Sequence, residues 1–178
     1  MAEPPDHLRT VGTIIQELRA LGSDPVLVGG MALVVLGSRR VTRDFDFVIA
    51  APGNRLDAVV DVFYGLDLEL VSRLDEDGNV IATISNRRIA VVRLRLDTPT
   101  GASFFNVGTG LRIDLLFDFP VPATGLVTRA TRITIRGQSL LIASEEDLLT
   151  LKRIAAAARS IPGDADDIAF LEARTRGL

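Results

Sequence analysis

One stretch constrains this chain most: Leu27-Val28-Gly29-Gly30-Met31-Ala32, with Asp44-Phe45-Asp46-Phe47 following Gly30 after a thirteen-residue spacer. Val26 to Val28 read as a short buried strand. Gly29 and Gly30 stop it, and Met31 to Leu36 continue as an apolar helix. A glycine pair at a strand-to-helix junction lets backbone approach a ligand closely. The start of the helix leaves N–H groups free for anions. Asp44 to Ala50 read as the next strand. Residues two apart on a strand share a face. Asp44 and Asp46 therefore project together, while Phe45, Phe47 and Ile49 point into the core. Two like charges on one face repel each other. An oxygen pair of this kind suits Mg²⁺.

The length, 178 residues, suits one domain, or one domain with a small appended lobe. An apolar content of 47% is enough for a sizeable core. No run reaches the ~18 apolar residues of a membrane span. The opening stretch, Met1 to His7, has no basic segment before an apolar run, so it does not read as a signal peptide. Cysteine is absent, which excludes thiol catalysis, thiolate zinc sites and disulfides. A cytoplasmic protein without a membrane partner is the expectation. The single histidine, His7, reads as a free surface residue before the first helix, and nothing near it supports a Ser-His-Asp triad.

Net charge is −3, so no global basic field draws in nucleic acid. Arginines do cluster locally. For Arg39, Arg40 and Arg43 the neighbouring acid pair makes a phosphate role competitive with a solvated loop. Arg87, Arg88, Arg93 and Arg95 read as a solvated edge.

Leu8, Val11, Ile14, Ile15, Leu18 and Leu21 recur at helical steps, with Asp6 placed to cap the start and Gly22 the end. Leu56, Val59, Val60 and Phe63 mark another helix ending at Gly65, and Leu68 to Val71 read as a strand. Asp75-Glu76-Asp77-Gly78-Asn79 is a turn signal, and it lacks the spaced ligands and closing glutamate of a calcium loop. Val80–Ile84 and Ile89–Leu96 alternate as two antiparallel strands joined through 85–88. Leu111 to Phe117 form an apolar strand with Asp114 in its middle. A lone carboxylate there is costly unless it is paired or bound to metal. Asp118, at the strand's end, reads as facing solvent or capping a turn. Pro120 to Gly125 read as a connection, and Thr131–Ile135 and Ser139–Ile142 as a hairpin around Gly137-Gln138. Ser144-Glu145-Glu146-Asp147 resembles a capping box that opens a buried helix. Arg159 and 161–163 end it, and Asp164 to Arg174 form the last helix.

The Gly-Gly turn, the spacer and Asp-hydrophobic-Asp, in this order, resemble the signature of DNA polymerase beta-like nucleotidyltransferases. Arg40-Val41-Thr42-Arg43-Asp44 within the spacer looks like the Arg-x-Thr-x-Asp-x-Asp of the bacterial AbiEii-type branch. Asp114 matches, in type and order, the third carboxylate of that superfamily. The run from Ser144 through Lys152 to Arg159, and then Asp164-x-x-Asp167-Ile168, resembles the AbiEii-type C-terminal pattern. One position departs: where the family commonly carries lysine before the aspartate, this chain has Gly163. The likeness runs from about Leu27 to Leu171, and nothing between Gly53 and Gly110 joins it.

The resemblance implies an α/β (α+β) polymerase beta-like fold, with a mixed, mainly antiparallel sheet flanked by helices. Residues 1–120 would form the core, and residues 121–178 a C-terminal hairpin and helices packed on it. It implies a Mg²⁺-dependent transfer of NMP from an NTP to a hydroxyl of an RNA or protein acceptor. The setting would be a toxin–antitoxin or phage-defence system with a cognate antitoxin protein. Asp44, Asp46 and Asp114 would be catalytic and hold two Mg²⁺ ions. Gly29, Gly30, Arg40, Thr42 and Lys152 would bind the nucleotide. Lys152 is the sole lysine. Either it reaches the triphosphate as a compact ammonium or it lies on a helix surface, and in both cases its removal should leave folding intact. Two alternatives stand beside this reading. One is a catalytically inactive nucleotide-binding or protein-interaction module of the same fold. The other is a Rossmann-type binder, which would want Gly-x-Gly-x-x-Gly after the first strand.

Overall fold

Local signals set the helix ends. The computed structural model describes residues 6–159 and 161–178, so residues 1–5 of the opening stretch lie outside the described residues. The Asp6 carboxylate accepts from the Arg9 N–H at 3.1 Å and caps α1, His7–Ala20. The Ser144 hydroxyl accepts from the Asp147 N–H at 3.1 Å and caps α6, Glu145–Ala158. The Asp147 carboxylate returns to the Ser144 hydroxyl at 2.9 Å. Asp118 caps a turn: its two oxygens accept from the Ala51 and Ala123 N–H groups at 2.9 and 2.8 Å. His7 is tied rather than free, with its ring Nε2 3.1 Å from the Thr109 carbonyl oxygen.

The remaining helices are α2 Gly29–Val35, α3 Leu56–Tyr64, α4 Arg87–Asp97, α5 Ala123–Arg129 and α7 Asp164–Thr175. The strands are β1 Val26–Val28, β2 Phe45–Ile49, β3 Glu69–Leu74, β4 Val80–Ile84, β5 Gly101–Phe105, β6 Arg112–Phe117, β7 Thr131–Ile135 and β8 Gln138–Ile142. All eight join one sheet in the order β4-β3-β5-β6-β2-β1-β8-β7. The pairs β2–β6 and β1–β8 run parallel, and the other five pairs antiparallel. This is the mixed, mainly antiparallel sheet flanked by helices that the motifs imply.

The apolar faces meet in one core. Val11, Ile14 and Leu18 of α1, Leu27 of β1, Phe47 of β2 and Ile113 of β6 are fully buried. Phe63 of α3 stacks on Phe104 of β5, with ring centroids 4.1 Å apart. Burying side chains of this size contributes about 1.5–3 kcal/mol each. Among the described residues no helix is long and apolar enough to cross a membrane.

Four local expectations are corrected. Ile89–Leu96 lies in α4, not in a strand. The Asn86 side chain accepts from the Ile89 N–H at 3.2 Å and starts a helix that buries Ala90, Val91 and Leu94. Those three positions follow a helical step, and the apparent alternation came from Val92 and Leu96, which face solvent. The stretch between Leu96 and Leu111, given no element from the sequence, holds β5, whose Gly101 lets the chain press against the Leu115 carbonyl. The connection read at Pro120–Gly125 runs into α5. The hairpin turn is Arg136-Gly137, both with positive φ, because Ile135 pairs with Gln138.

Candidate functional site

β2 and β6 build the site between them. They run parallel, with Asp46 directly opposite Asp114. Side chains at paired positions leave a sheet on the same face. Asp44, just before β2, falls on that face too, as does Arg112, two residues before Asp114. Burial, first, pushes Asp46 up to about 7; the charge of Asp114, a hydrogen bond with it, and the charge of Asp44 push the same way, and only Arg112 opposes. Asp44 is also raised, chiefly by burial, with Arg112 opposing and Asp114 adding to the rise. Asp46 therefore keeps its proton up to near neutral pH unless positive charge arrives.

The Gly-Gly turn frames this pair. Val28 stands opposite Asp46 in the β1–β2 ladder, and the chain then turns at Gly29. Gly29 has φ +68°, a region that L side chains rarely adopt. A Cβ at Gly29 would stand 2.3 Å from Asp46 Oδ2, so the missing side chain is what admits the carboxylate. A Cβ at Gly30 would stand 2.8 Å from Arg40 Nε. The two glycines thus make room for two different side chains, one acidic and one basic.

Arg40 reaches from the spacer to α7, where its Nη1 bonds the Asp167 carboxylate. Lys152 of α6 approaches the same carboxylate at 2.7 Å and Asp164 at 3.4 Å. Lys152 is 8% exposed, so it is not a surface lysine. Both cations are therefore held by α7 carboxylates. The second oxygen of Asp164 is buried with no hydrogen-bond partner. Gly163, the departure from the family pattern, has φ +96° where the chain enters α7. Lysine at that backbone angle would be strained.

A cleft of about 790 Å³ brings most of these groups together. Gly29, Gly30, Arg40, Asp46, Asp114 and Lys152 all line it. Thr42 does not: with Arg43 and Phe45 it lines a separate depression that also takes in His7 and Met31. Among the described residues no three acidic or histidine side chains are gathered into a ready metal cage. Asp46 and Asp114 stand as a pair, with Asp44 near enough for its charge to be felt.

Sequence reasoning missed Arg112, whose Nε donates to Asp114 Oδ1 at 3.0 Å. The signal was present, since residues two apart on a strand share a face. It also missed that Asp164 and Asp167 hold Lys152. That pairing spans two helices and leaves no local pattern.

No family model matches the sequence, and no curated protein matches it. Solved structures do. The chain is similar to an antigenic nucleotidyltransferase-like protein from Paracoccidioides brasiliensis, at 20% identity over 94% of this chain and 76% of that one, with a TM-score of 0.59. It is similar to the lincosamide antibiotic adenylyltransferase LnuA in its lincomycin-bound form, at 12% identity over 96% and 98% of the two chains, with a TM-score of 0.56. It is also similar to ANT(2″)-Ia in complex with adenylyl-2″-tobramycin, at 12% identity over 94% and 88%, with a TM-score of 0.58. At these identities the likeness is one of fold, and the fold is that of nucleotidyltransferases.

Proposed function

We propose that this chain transfers a nucleoside monophosphate from an NTP to an acceptor hydroxyl. The observation that carries the reading is the Asp46–Asp114 pair, opposed across β2 and β6 in a cleft that begins at Gly29-Gly30. The fold, shared with adenylyltransferases, supports it.

The residues fit a hard divalent cation. Every acidic donor at the site is a carboxylate oxygen, and the crowding that raises Asp46 is relieved by positive charge. Asp44, Asp46 and Asp114 would hold Mg²⁺, which when bound neutralises phosphate charge and eases loss of a proton from the acceptor hydroxyl. The chain's own part is to position and to neutralise. Gly29 and Gly30 leave backbone N–H groups open to phosphate oxygens. Asp114 faces the acceptor oxygen as it attacks the α-phosphorus. The bond from the α-phosphorus to the bridging oxygen breaks, and pyrophosphate departs. Arg40 and Lys152 line the same cleft, where their positive charge would bear on the leaving group.

The AbiEii-type resemblance points to an RNA or protein acceptor, a toxin–antitoxin or phage-defence setting, and a cognate antitoxin. A small-molecule acceptor is the second reading. Leu74, Phe119 and Ile154 are 40%, 46% and 42% exposed, and all three line the cleft as apolar surface. LnuA was solved bound to lincomycin, and ANT(2″)-Ia with adenylyl-2″-tobramycin.

The test is to incubate the protein with each α-labelled NTP, Mg²⁺ and cell lysate, and then separate RNA, protein and small molecules. Label in one fraction, lost with Asp46→Ala, supports transfer and names the acceptor class. Metal-dependent NTP binding with no labelled product under any condition would favour the inactive binding module.

A further inference from the structure

We propose that Arg112 serves as a fixed cation in the place that a second divalent ion takes in a two-ion carboxylate site. The nucleotide complex of this chain then holds one divalent ion, not two. The inference rests on the nucleotidyl-transfer reading above.

Arg112 opens β6 two residues before Asp114, on the same face of the sheet. Its Nε donates to Asp114 Oδ1 at 3.0 Å. Its Nη1 donates to the Gly78 carbonyl at 2.9 Å, in the turn between β3 and β4. The guanidinium is thus anchored at both ends. Its side chain is 16% exposed and that of Asp114 22%, so solvent screens the pair poorly.

Sites with two divalent ions roughly 4 Å apart use both to neutralise the reacting oxygens. A second ion shared by Asp114 would here have to compete with Arg112 for Oδ1 and stand beside its positive charge. The carboxylates are not gathered into a three-donor cage among the described residues, and Asp114 is bonded to Arg112. Arg112 is a positioning residue in this scheme: it orients Asp114 and does not touch the phosphates. The rival role is structural, a pin that holds the β3–β4 turn through Gly78.

Counting bound Mn²⁺ separates the two roles. The full chain is dialysed to equilibrium against Mn²⁺ and an α,β-methylene NTP analogue, and chain-bound Mn²⁺ and nucleotide are measured. We expect one Mn²⁺ per bound nucleotide for wild type and for Arg112→Lys, and two for Arg112→Ala. Two ions on the wild type overturn the proposal. One ion on a folded Arg112→Ala chain also overturns it and leaves the pin. If Arg112→Ala does not fold, the wild-type and Arg112→Lys counts decide. Wild-type protein that binds neither nucleotide nor Mn²⁺ fails the transfer reading itself, whereas bound nucleotide with two ions fails this inference alone.

Discussion

Asp46 and Asp114 sit directly opposite each other on parallel neighbouring strands, sixty-eight residues apart in the chain. Neither has a mate of opposite charge on its own strand except Arg112, which is bonded to Asp114. The folded chain therefore stores repulsion at this point.

That repulsion sets a pH dependence. The ordinary carboxylate value is 3.8, and the fold raises Asp46 to about 7. A raised carboxyl binds its proton more tightly in the folded state. Stability should therefore fall as pH rises from about 4 to about 7, and level off above. The full effect is on the order of a few kcal/mol. Asp46→Asn should remove it. Urea unfolding of metal-free protein across this range, wild type against Asp46→Asn, reads the difference directly. Parallel curves for the two proteins would count against the placement of Asp46.

Metal should reverse the sign of the same interaction. Mg²⁺ with an NTP should raise the melting temperature of wild type above its value in EDTA. Asp46→Ala and Asp114→Ala should show little such rise, and should lower the transfer rate at least about 10²-fold. In EDTA Asp46→Ala should melt at or above the wild-type temperature, whereas Asp114→Ala leaves Arg112 without its partner and should not gain stability. A large loss of stability in Asp46→Ala would mark that acid as structural.

Lys152 behaves differently from the expectation of a removable side chain. Its ammonium compensates two buried carboxylates, and Asp164 already has one unpartnered oxygen. Lys152→Met should destabilise the chain by about 3–5 kcal/mol, the usual cost of leaving buried charge unpaired. Lys152→Arg should recover only part, since a planar fork fits the space of an ammonium poorly. Chemical denaturation measures both. A Lys152→Met chain as stable as wild type would return the residue to a purely functional role.

Gly29→Ala and Gly30→Ala should separate cleanly. At Gly29 the new methyl meets Asp46, and the backbone has φ +68°. That substitution should cost about 1–3 kcal/mol and abolish metal-dependent NTP binding. At Gly30 the methyl meets the far end of Arg40, which is flexible. Here stability should change by less than about 1 kcal/mol, with weaker NTP binding. Thermal melts and NTP titrations on both variants provide the comparison, and equal losses at the two positions would contradict it.

Much of this site was legible because its signals are local. Strand alternation around Phe45 and Phe47 set the face of Asp44 and Asp46. Side-chain caps at Asp6 and Ser144 marked helix starts within one turn. Ile89–Leu96 misled because a short apolar run satisfies both periods loosely. The decision came from Asn86 bonding the Ile89 N–H and from α3, whose Asp61 and Asp57 pair with Arg87 and Arg95.

By itself the sequence determined which residues carry charge and that Asp44, Asp46 and Asp114 ride on apolar strands, with Asp44 and Asp46 on one face, since backbone period and hard-sphere sterics act between near neighbours. Tertiary structure decided who meets whom. It set the register that opposes Asp46 to Asp114, tied Arg112 to Asp114 and Gly78, and turned Lys152 and Arg40 toward Asp167. Those pairings span strands and helices distant in the chain. Their energies depend on burial and on the local dielectric, which exist only once the sheet and its helices have closed around them.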